Sequence, residues 1–310
     1  MSICSWGTGS ASVGLAWKAK RMSITTADIK RVIESEDDFG HEMRVGGVLD
    51  HLACEAMKDV FNGTDLEPPE HGGTYTDAIT SKPRQFDYRC RIVRRPPTQP
   101  GTCALLAIEC KNLHESSPLV VCGCLRTAGE AYYHFIESHL DDSGRSMCAT
   151  KRVEGGQFYE AGKFVGKSLV RVRERNGKLE TDSNSDIYDR WAQALASSVE
   201  LAEGARSFAN EMYQHWASLV LPVVVVPDGS LWSVAYNAKG TIDVNPTMVG
   251  ECEFFVGRKL ELGPLPFSLT HIHFVTVSGL ESLLSRFWKH HRAWEWIFPA
   301  GAELVHAAGN

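Results

Sequence analysis

The segment from Leu219 to Val226 is the feature that most constrains the fold of this chain. It is continuously apolar and rich in valine, as expected for a strand that is buried on both faces of a sheet. Such a strand needs other layers of structure above and below it. The run is the longest apolar one in the sequence, contains Pro222, and is far shorter than the roughly 20 residues of a membrane-spanning helix. We therefore predict an α/β fold without a membrane segment.

The remainder of the chain alternates between helical and strand patterns, which favours a mixed central sheet with helices on both faces. Apolar residues recur at helical spacing from about His41 to Phe61 and from Ile187 to about Met212. Strand patterns occur at 86–92, 104–111, 119–124, 169–175, 230–236 and 271–277. Residues 128–140 and 280–288 are predicted as helices, and residues 62–81 and 141–160 as loops.

The length of 310 residues favours one elaborated domain or a domain with an added lobe. Residues 1–24 lack the order of a secretory signal and are expected to form a disordered extension. We expect a core over 25–226, with an insertion near 140–185. Residues 227–310 are expected to add C-terminal strands and a helix to the same domain.

Charge and cysteine content restrict the partners and the compartment. The net charge of −6 excludes a protein that holds nucleic acid by bulk positive charge alone, so any polyanion must be held by local patches. Cations do cluster locally, at 82–95 and at 151–178. The nine cysteines include no CxxC pair, and a chain of this length needs no disulfide framework. We therefore predict a reducing, cytoplasmic location.

The residues that are most informative about function lie at the ends of two predicted strands. Asp87 is near the start of one, and Glu109 and Lys111 end the next. Residues two apart in a strand share a face, so Glu109 and Lys111 point the same way and Cys110 points into the packing. In an antiparallel hairpin, Asp87 would lie beside Glu109. Such a carboxylate pair can hold a hard divalent cation, while the lysine orients or deprotonates water or offsets phosphate charge.

The alternative is a surface salt-bridge cluster on an exposed face of the sheet. Against it, Glu109 and Lys111 end the run from Leu105 to Ile108, which has the composition of a buried strand. Buried charges require a partner or a metal ion.

This arrangement resembles the PD-(D/E)XK nuclease superfamily. Phe86-Asp87 and, after a 21-residue interval, Ile108-Glu109-Cys110-Lys111 carry the resemblance, with Phe86 in the place of the family's proline. It covers roughly residues 40–125 and, more loosely, the helix near 186–212 and the strand at 219–226. It implies a restriction-endonuclease-like fold, a mixed central sheet flanked by helices with a core of helix, three strands, helix and strand. The additional C-terminal strands and helix exceed that core.

The resemblance implies a nuclease that hydrolyses the phosphodiester bonds of DNA with Mg²⁺ or Mn²⁺. Asp87 and Glu109 would be metal ligands, Lys111 would position or activate water, and Glu42 on the first core helix would complete the metal shell, with Glu36 as second choice. Many such nucleases form homodimers, because two cuts need two sites. RNA is the less favoured substrate.

Contacts with the nucleic acid are expected from cations near the metal site and from a glutamine that joins the site in some branches of the family. Arginine and lysine bind phosphates and make affinity salt dependent. The expected residues are Arg89, Arg91, Lys163, Lys167 and Gln193. The competing interpretation of the cations is a solvated charged face that acids elsewhere balance.

Other patterns favour different chemistry less strongly. Gly162 to Ser168 is one residue short of a phosphate-binding loop. Cys122-Gly-Cys124, with Cys110 nearby, lacks the spacing of a zinc site and indicates buried thiols instead. His271-Ile-His273 could pair on a metal but is more typical of histidines satisfied within a sheet. Two other functions remain open: a catalytically inactive nucleic-acid or protein binding module of the same fold, and a small-molecule enzyme that uses cysteine and histidine.

Overall fold

The protein was analysed as a computed structural model. The structure describes residues 25–36, 38–58, 64–77, 81–95, 101–113, 117–181, 185–208, 215–289 and 291–305. The extension predicted for residues 1–24 lies outside these ranges. The chain divides into two compact units, residues 1–36 and 37–310. Within the first unit, the Thr25 hydroxyl accepts a hydrogen bond from the Asp28 amide and caps a helix.

The described residues form the following helices and strands. The helices are α1 (Thr26–Glu36), α2 (Asp38–Lys58), α3 (Ser185–Ala205), α4 (Val277–Lys289) and α5 (His291–Ile297). The strands are β1 (Thr64–Leu66), β2 (Glu70–His71), β3 (Thr74–Thr76), β4 (Pro83–Gln85), β5 (Tyr88–Arg94), β6 (Gly101–Cys110), β7 (Leu119–Leu125), β8 (Tyr132–Leu140), β9 (Ser146–Glu154), β10 (Phe164–Arg175), β11 (Lys178–Thr181), β12 (Trp216–Val226), β13 (Leu231–Ala235), β14 (Thr247–Met248), β15 (Glu251–Leu262), β16 (Leu265–Thr276) and β17 (Glu303–Val305).

One mixed sheet dominates the unit formed by residues 37–310. Its main strand order is β1-β5-β6-β12-β16-β15-β10-β7-β13-β14, and the β3-β4 hairpin forms a separate small sheet. Strands β1, β5 and β6 pair antiparallel, whereas β12 pairs parallel to both β6 and β16. The chain from β6 to its parallel neighbour β12 passes through β7–β11 and then α3, since parallel neighbours require a crossover. No helix in the described part of the chain is long and apolar enough to cross a membrane.

The sheet separates two hydrophobic cores. Along β12, Leu221 and Val223 point to the core that α2, α4 and α5 cover, whereas Val220 and Val224 point to the core that α3 covers. Every residue of β12 is buried, which confirms the prediction of a central strand with both faces covered. The predicted α/β class with a large mixed sheet and flanking helices is also confirmed.

Other predictions from the sequence differ from the structure. The helix predicted for residues 128–140 is wrong, because only a short 3-10 turn at 128–130 precedes β8. Its aromatic and β-branched side chains pack on the sheet, and β8 pairs with β9 in a segment that was predicted as a loop. Residues 62–81 likewise contain short strands. The hairpin predicted at Asn176-Gly177 is confirmed, since both residues adopt the positive φ that a tight turn requires.

Candidate functional site

Strands β5 and β6 bring Asp87 and Glu109 to the same end of the sheet. Tyr88 lies opposite Ile108 in the antiparallel register, so Asp87 and Glu109 occupy the next position on each chain. A carboxylate oxygen of Asp87 accepts a hydrogen bond of 2.6 Å from the backbone amide of Cys110. The hairpin geometry expected from the sequence is therefore present.

Lys111 completes this group, which we call the Asp87 cluster (Asp87, Glu109 and Lys111). Its Nζ donates a hydrogen bond of 2.6 Å to Glu109 Oε1. The Glu109 side chain is only 4% exposed and that of Lys111 12%, since β6 lies in the sheet interior between β5 and β12. Cys110 packs into the hydrophobic core on the other face.

Burial perturbs the protonation of all three side chains. It raises the pKa of Asp87 to about 6, although the Cys110 amide and Lys111 act in the opposite direction. Burial also raises the pKa of Glu109; Lys111 offsets part of this effect, and the charge of Asp87 adds to it. For Lys111, burial favours a lower pKa, but the attraction of Glu109 and Asp87 outweighs it and raises the pKa. Two carboxylates thus share one lysine, and burial favours their protonated, neutral forms where no further positive charge is present.

Helix α2 adds Glu42 at the edge of this group. Its carboxylate Oε2 lies 3.3 Å from His71 Nε2, and its backbone oxygen accepts a hydrogen bond from the Tyr88 hydroxyl. The charge of Glu42 contributes to the raised pKa of both Asp87 and Glu109, so the predicted third carboxylate lies within electrostatic reach of the pair. The side chain of Glu36, the second choice, lies outside the described residues.

Two residues near the cluster were not predicted. Asp38, at the start of α2, accepts a hydrogen bond of 2.9 Å from the Asn112 amide, and its charge also raises the pKa of Asp87. Its position in an acidic run at the start of a helix was the available signal. Tyr75 has its pKa raised to about 12 by burial and by the charge of Glu109. It lies in a segment predicted as a loop, and the sequence carried no signal for it.

The structure places Arg89 and Arg91 near the cluster but in contact with other parts of the protein. Arg89 donates to Ser197 and Glu200 on α3, and its side chain is only 11% exposed. Arg91 lies 3.3 Å from a carboxylate oxygen of Glu67. Both arginines thus hold neighbouring segments to β5, and their expected role in phosphate binding stays a prediction.

The other three residues expected to contact nucleic acid lie in two different parts of the fold. The backbone oxygen of Gln193 accepts a hydrogen bond from the Tyr75 hydroxyl, which places this glutamine on the same side as the cluster. Lys167 is on β10 and pairs with Glu130, and Lys163, just before β10, pairs with Glu160. Strand β10 is four positions from β6, which corresponds to about 19 Å at the usual strand spacing. The two lysines are therefore not gathered around the cluster.

A second acidic group lies on β15 and β16, and we call it the Glu251 cluster (Glu251, Glu253 and His273). Its ligand atoms all lie within 4.8 Å of one another, so the group could hold a metal ion. Glu253 is directly opposite His273 in the antiparallel register. Among the described residues, these three side chains are the ones whose ligand atoms come this close to one another. The carboxylates of Glu42, Asp87 and Glu109 lie farther apart.

The charges of the Glu251 cluster are already compensated by arginine. Arg286 donates to both carboxylate oxygens of Glu251, at 2.6 and 2.8 Å, and the buried Arg126 pairs with Glu253. Burial alone would raise the pKa of Glu251, but His273 and Arg286 outweigh it and lower this pKa. A metal ion would have to compete with two guanidinium groups for the carboxylates.

The weaker sequence patterns have structural explanations. Residues 164–168 of the glycine-lysine segment begin β10 and do not precede a helix, as a phosphate-binding loop does. The described cysteines, Cys54, Cys90, Cys103, Cys110, Cys122, Cys124, Cys148 and Cys252, are all free thiols. His271 is buried against Tyr159, with ring centroids 3.8 Å apart, and burial lowers its pKa to about 2. Of the three cysteines in the weak zinc pattern, Cys110 is buried as expected, whereas Cys122 and Cys124 are only half-buried.

Comparison with known proteins identifies no relative of this chain. No family model matches the chain, and neither the curated proteins nor the solved structures contain a significant match. The functional assignment therefore rests on the geometry and chemistry of the residues described above.

Proposed function

We propose that the protein is a metal-dependent nuclease that hydrolyses phosphodiester bonds of DNA at the Asp87 cluster. The observation that carries this proposal is a pair of carboxylates, the partly buried Asp87 and the buried Glu109, at neighbouring ends of β5 and β6, with Lys111 in direct contact with Glu109. Burial raises the pKa of both acids, and the charges of nearby carboxylates add to it, those of Glu42 and Asp38 for Asp87 and those of Asp87 and Glu42 for Glu109. A cation at this position would therefore relieve an electrostatic cost.

The order of elements around the cluster supports membership of the PD-(D/E)XK superfamily with its restriction-endonuclease-like core. Helix α2 is followed by β1, by β5 and β6 after the short strands β2–β4, and by α3 and β12 after the inserted strands β7–β11. Strands β1, β5, β6 and β12 are neighbours in that order in the sheet. Strand β5 is antiparallel to β6, and β12 is parallel to β6. Helix, three strands, helix and strand is the sequence of elements that the resemblance implies.

The donor set fits a hard divalent cation such as Mg²⁺ or Mn²⁺. Asp87 and Glu109 would be its protein ligands and Glu42 would complete the shell, since these ions prefer carboxylate oxygens and retain waters. When bound, the ion supplies Lewis-acid polarisation of a phosphate oxygen and acidifies water. The amide of Cys110 orients the Asp87 carboxylate, because it donates to one of its two oxygens.

Lys111 acts mainly as a positioned cation. Its pKa is raised, so the side chain is charged while it contacts Glu109. A charged ammonium group can orient the attacking water and offset the negative charge that develops on the phosphate. A metal ion on Glu109 would weaken the attraction that raises this pKa, and Lys111 could then also accept a proton from water.

Three buried thiols on β5 and β6 are poor candidates for the nucleophile of a small-molecule enzyme. Burial raises the pKa of Cys90, Cys103 and Cys110, and a thiol with a raised pKa is a poor nucleophile at neutral pH. Reduced cysteines agree with the cytoplasmic location that we propose. Homodimer formation stays a proposal based on the resemblance alone.

The test is cleavage of DNA by the purified full-length protein with Mg²⁺ or Mn²⁺. We expect Lys111→Ala and Asp87→Ala to lower the rate by about 10²–10⁴-fold, as for loss of a group that takes part in proton transfer or charge stabilisation. Lys239→Ala, at an exposed lysine in a turn far along the sequence, is the matched control and should cleave like the wild type.

If the protein cleaves neither double-stranded, single-stranded or branched DNA nor RNA in the presence of metal ions, the proposed nuclease activity is wrong. Nucleic-acid binding that survives Lys111→Ala and weakens with salt, without any cleavage by the wild type, would instead identify the inactive binding module.

A further inference from the structure

Three aromatic rings form a stack beside the Asp87 cluster. The rings of Tyr88 and His71 are nearly parallel, with 4.4 Å between centroids and 10° between planes. Phe39 continues the stack on His71, at 6.2 Å and 27°. These separations are within the range of favourable aromatic pairs. We call the group the Phe39 stack (Phe39, His71 and Tyr88).

The stack runs from the interior of the protein to the solvent. Tyr88 is 3% exposed, the His71 side chain 35% and Phe39 58%. Its inner end is fixed, because the Tyr88 hydroxyl donates to the Glu42 backbone oxygen and the ring lies against Gly46 of α2. The outer face of Phe39 is therefore a largely exposed aromatic surface on a fixed support.

The stack is next to the proposed metal ligands. Tyr88 follows Asp87 directly in the chain, and His71 Nε2 is 3.3 Å from Glu42 Oε2. On α2, Glu42 and Met43 are three and four residues after Phe39, so each of them neighbours Phe39 on the helix surface. Met43 is also exposed, by 53%. An apolar surface thus borders the carboxylate that would complete the metal shell.

We propose that the Phe39 stack receives an unpaired base and that the substrate is single-stranded DNA or a single-stranded part of a branched DNA. An exposed ring can stack only on a base whose face is free, whereas neighbouring pairs cover the base faces within a duplex. This inference rests on the proposed nuclease function, since it names the form of DNA that this centre cuts.

The charges near the cluster agree with this substrate. Arg84, Arg89 and Arg91 pair with Asp77, Glu200 and Glu67, respectively. A duplex is bound largely through cations that contact phosphates on both strands, whereas a single strand gains much of its affinity from stacking. A site whose nearby arginines already have carboxylate partners is better suited to the second mode.

The experiment compares binding of a short labelled single strand and of the corresponding duplex by fluorescence anisotropy, with Mn²⁺ and in the Lys111→Ala background to suppress cleavage. We expect Phe39→Ala to weaken single-strand binding by about 5- to 100-fold and to leave duplex binding unchanged. Phe39→Trp should retain single-strand binding, which excludes a general folding defect. Leu179→Ala, at a 75% exposed leucine on β11, is the matched control and should have no effect.

Unchanged single-strand affinity in Phe39→Ala, or a preference of the parent protein for duplex, would overturn the proposal. If instead the proposed nuclease function is wrong, the wild type would cleave no DNA, but binding of single strands would still depend on Phe39. Cleavage that depends on Lys111 but not on Phe39 would support the nuclease function and contradict the stacking role of Phe39.

Discussion

The two acidic clusters differ in how their charge is balanced. Both lie on the same sheet, and by the alternation of side chains along their strands Glu109 and His273 point to opposite faces. In the Glu251 cluster, each glutamate has an arginine partner. In the Asp87 cluster, one cation, Lys111, faces two carboxylates, Asp87 and Glu109, and the nearby Glu42 adds a third.

The pKa shifts express this difference. The pKa of Asp87 is raised to about 6, whereas that of Glu251 is lowered by His273 and Arg286 despite burial. A compensated cluster stabilises the fold, and a cluster with excess charge costs stability unless a ligand supplies the missing charge. The geometric capacity to hold a metal ion, which the Glu251 cluster has, is therefore a weaker indication of function than a carboxylate pair without sufficient counter-charge.

The largest effect on stability is expected from breaking the compensation of the Glu251 cluster. Arg126 is almost completely buried and pairs with Glu253, so Arg126→Ala leaves a poorly compensated carboxylate in the protein. We expect a loss of about 3–5 kcal/mol in the free energy of unfolding, measured by urea denaturation. Arg145→Ala is the control: its pair with Asp141 is on the surface, with the arginine side chain 80% exposed, and should contribute less than about 1 kcal/mol. Equal effects of the two changes would show that the Glu251 cluster is not a structural ion-pair network.

Removing a charge from the Asp87 cluster should stabilise the protein, whereas removing one from the Glu251 cluster destabilises it. The folded protein binds a proton on Asp87 up to about pH 6, whereas the ordinary pKa is 3.8, so the folded state holds more protons between these values and stability falls as the pH rises through them. Asp87→Asn removes this penalty and keeps an oxygen that can accept from the Cys110 amide. We expect it to raise the free energy of unfolding by about 2–3 kcal/mol above pH 6 in metal-free buffer.

The matched change in the other cluster is Glu251→Gln, followed in the same urea titrations. The pKa of Glu251 is lowered from 4.5, so its charge stabilises the fold above that pH and the stabilisation is lost on acidification. Glu251→Gln should therefore destabilise the protein at neutral pH. Destabilisation by both substitutions would contradict the distinction between the clusters.

A smaller effect is expected where α2 approaches the Asp87 cluster. A Cβ atom at Gly46 would overlap the Tyr88 hydroxyl, whereas one at Gly47 would meet no atom within 4 Å. We expect Gly46→Ala to cost about 1–3 kcal/mol through overpacking. Gly47→Ala should instead stabilise the helix by up to about 1 kcal/mol. Thermal unfolding of both variants measures the difference, and equal behaviour would contradict the close contact between α2 and Tyr88.

The sequence was sufficient for the Asp87 cluster because the relevant relationships are local. The alternation before Asp87 and the apolar run before Glu109 predict two strands, and one short connection between them predicts the antiparallel register that the structure has. The buried strand β12 and the long helix before it could also be predicted from composition and spacing. These features depend on periodicity within single segments.

Features that depend on distant parts of the chain could not be predicted. The tendency of Tyr132 to Leu140 to form a strand is decided by pairing with β9 and by packing on the sheet, neither of which is visible in the segment itself. The Glu251 cluster requires β15 to lie beside β16 in a particular register, and β15 was not recognised. The ion pair of Arg89 could not be predicted either, because α3 supplies Glu200 from more than a hundred positions further along the chain.

Titration with Mn²⁺, followed by calorimetry at neutral pH, tests the central claim most directly. We expect the wild type to bind the ion and the double variant Asp87→Asn/Glu109→Gln to lose that binding, while Glu251→Gln/Glu253→Gln retains it in the fraction that circular dichroism shows to be folded. The opposite pattern, with binding lost on changing Glu251 and Glu253 and retained without the charges of Asp87 and Glu109, would contradict the account.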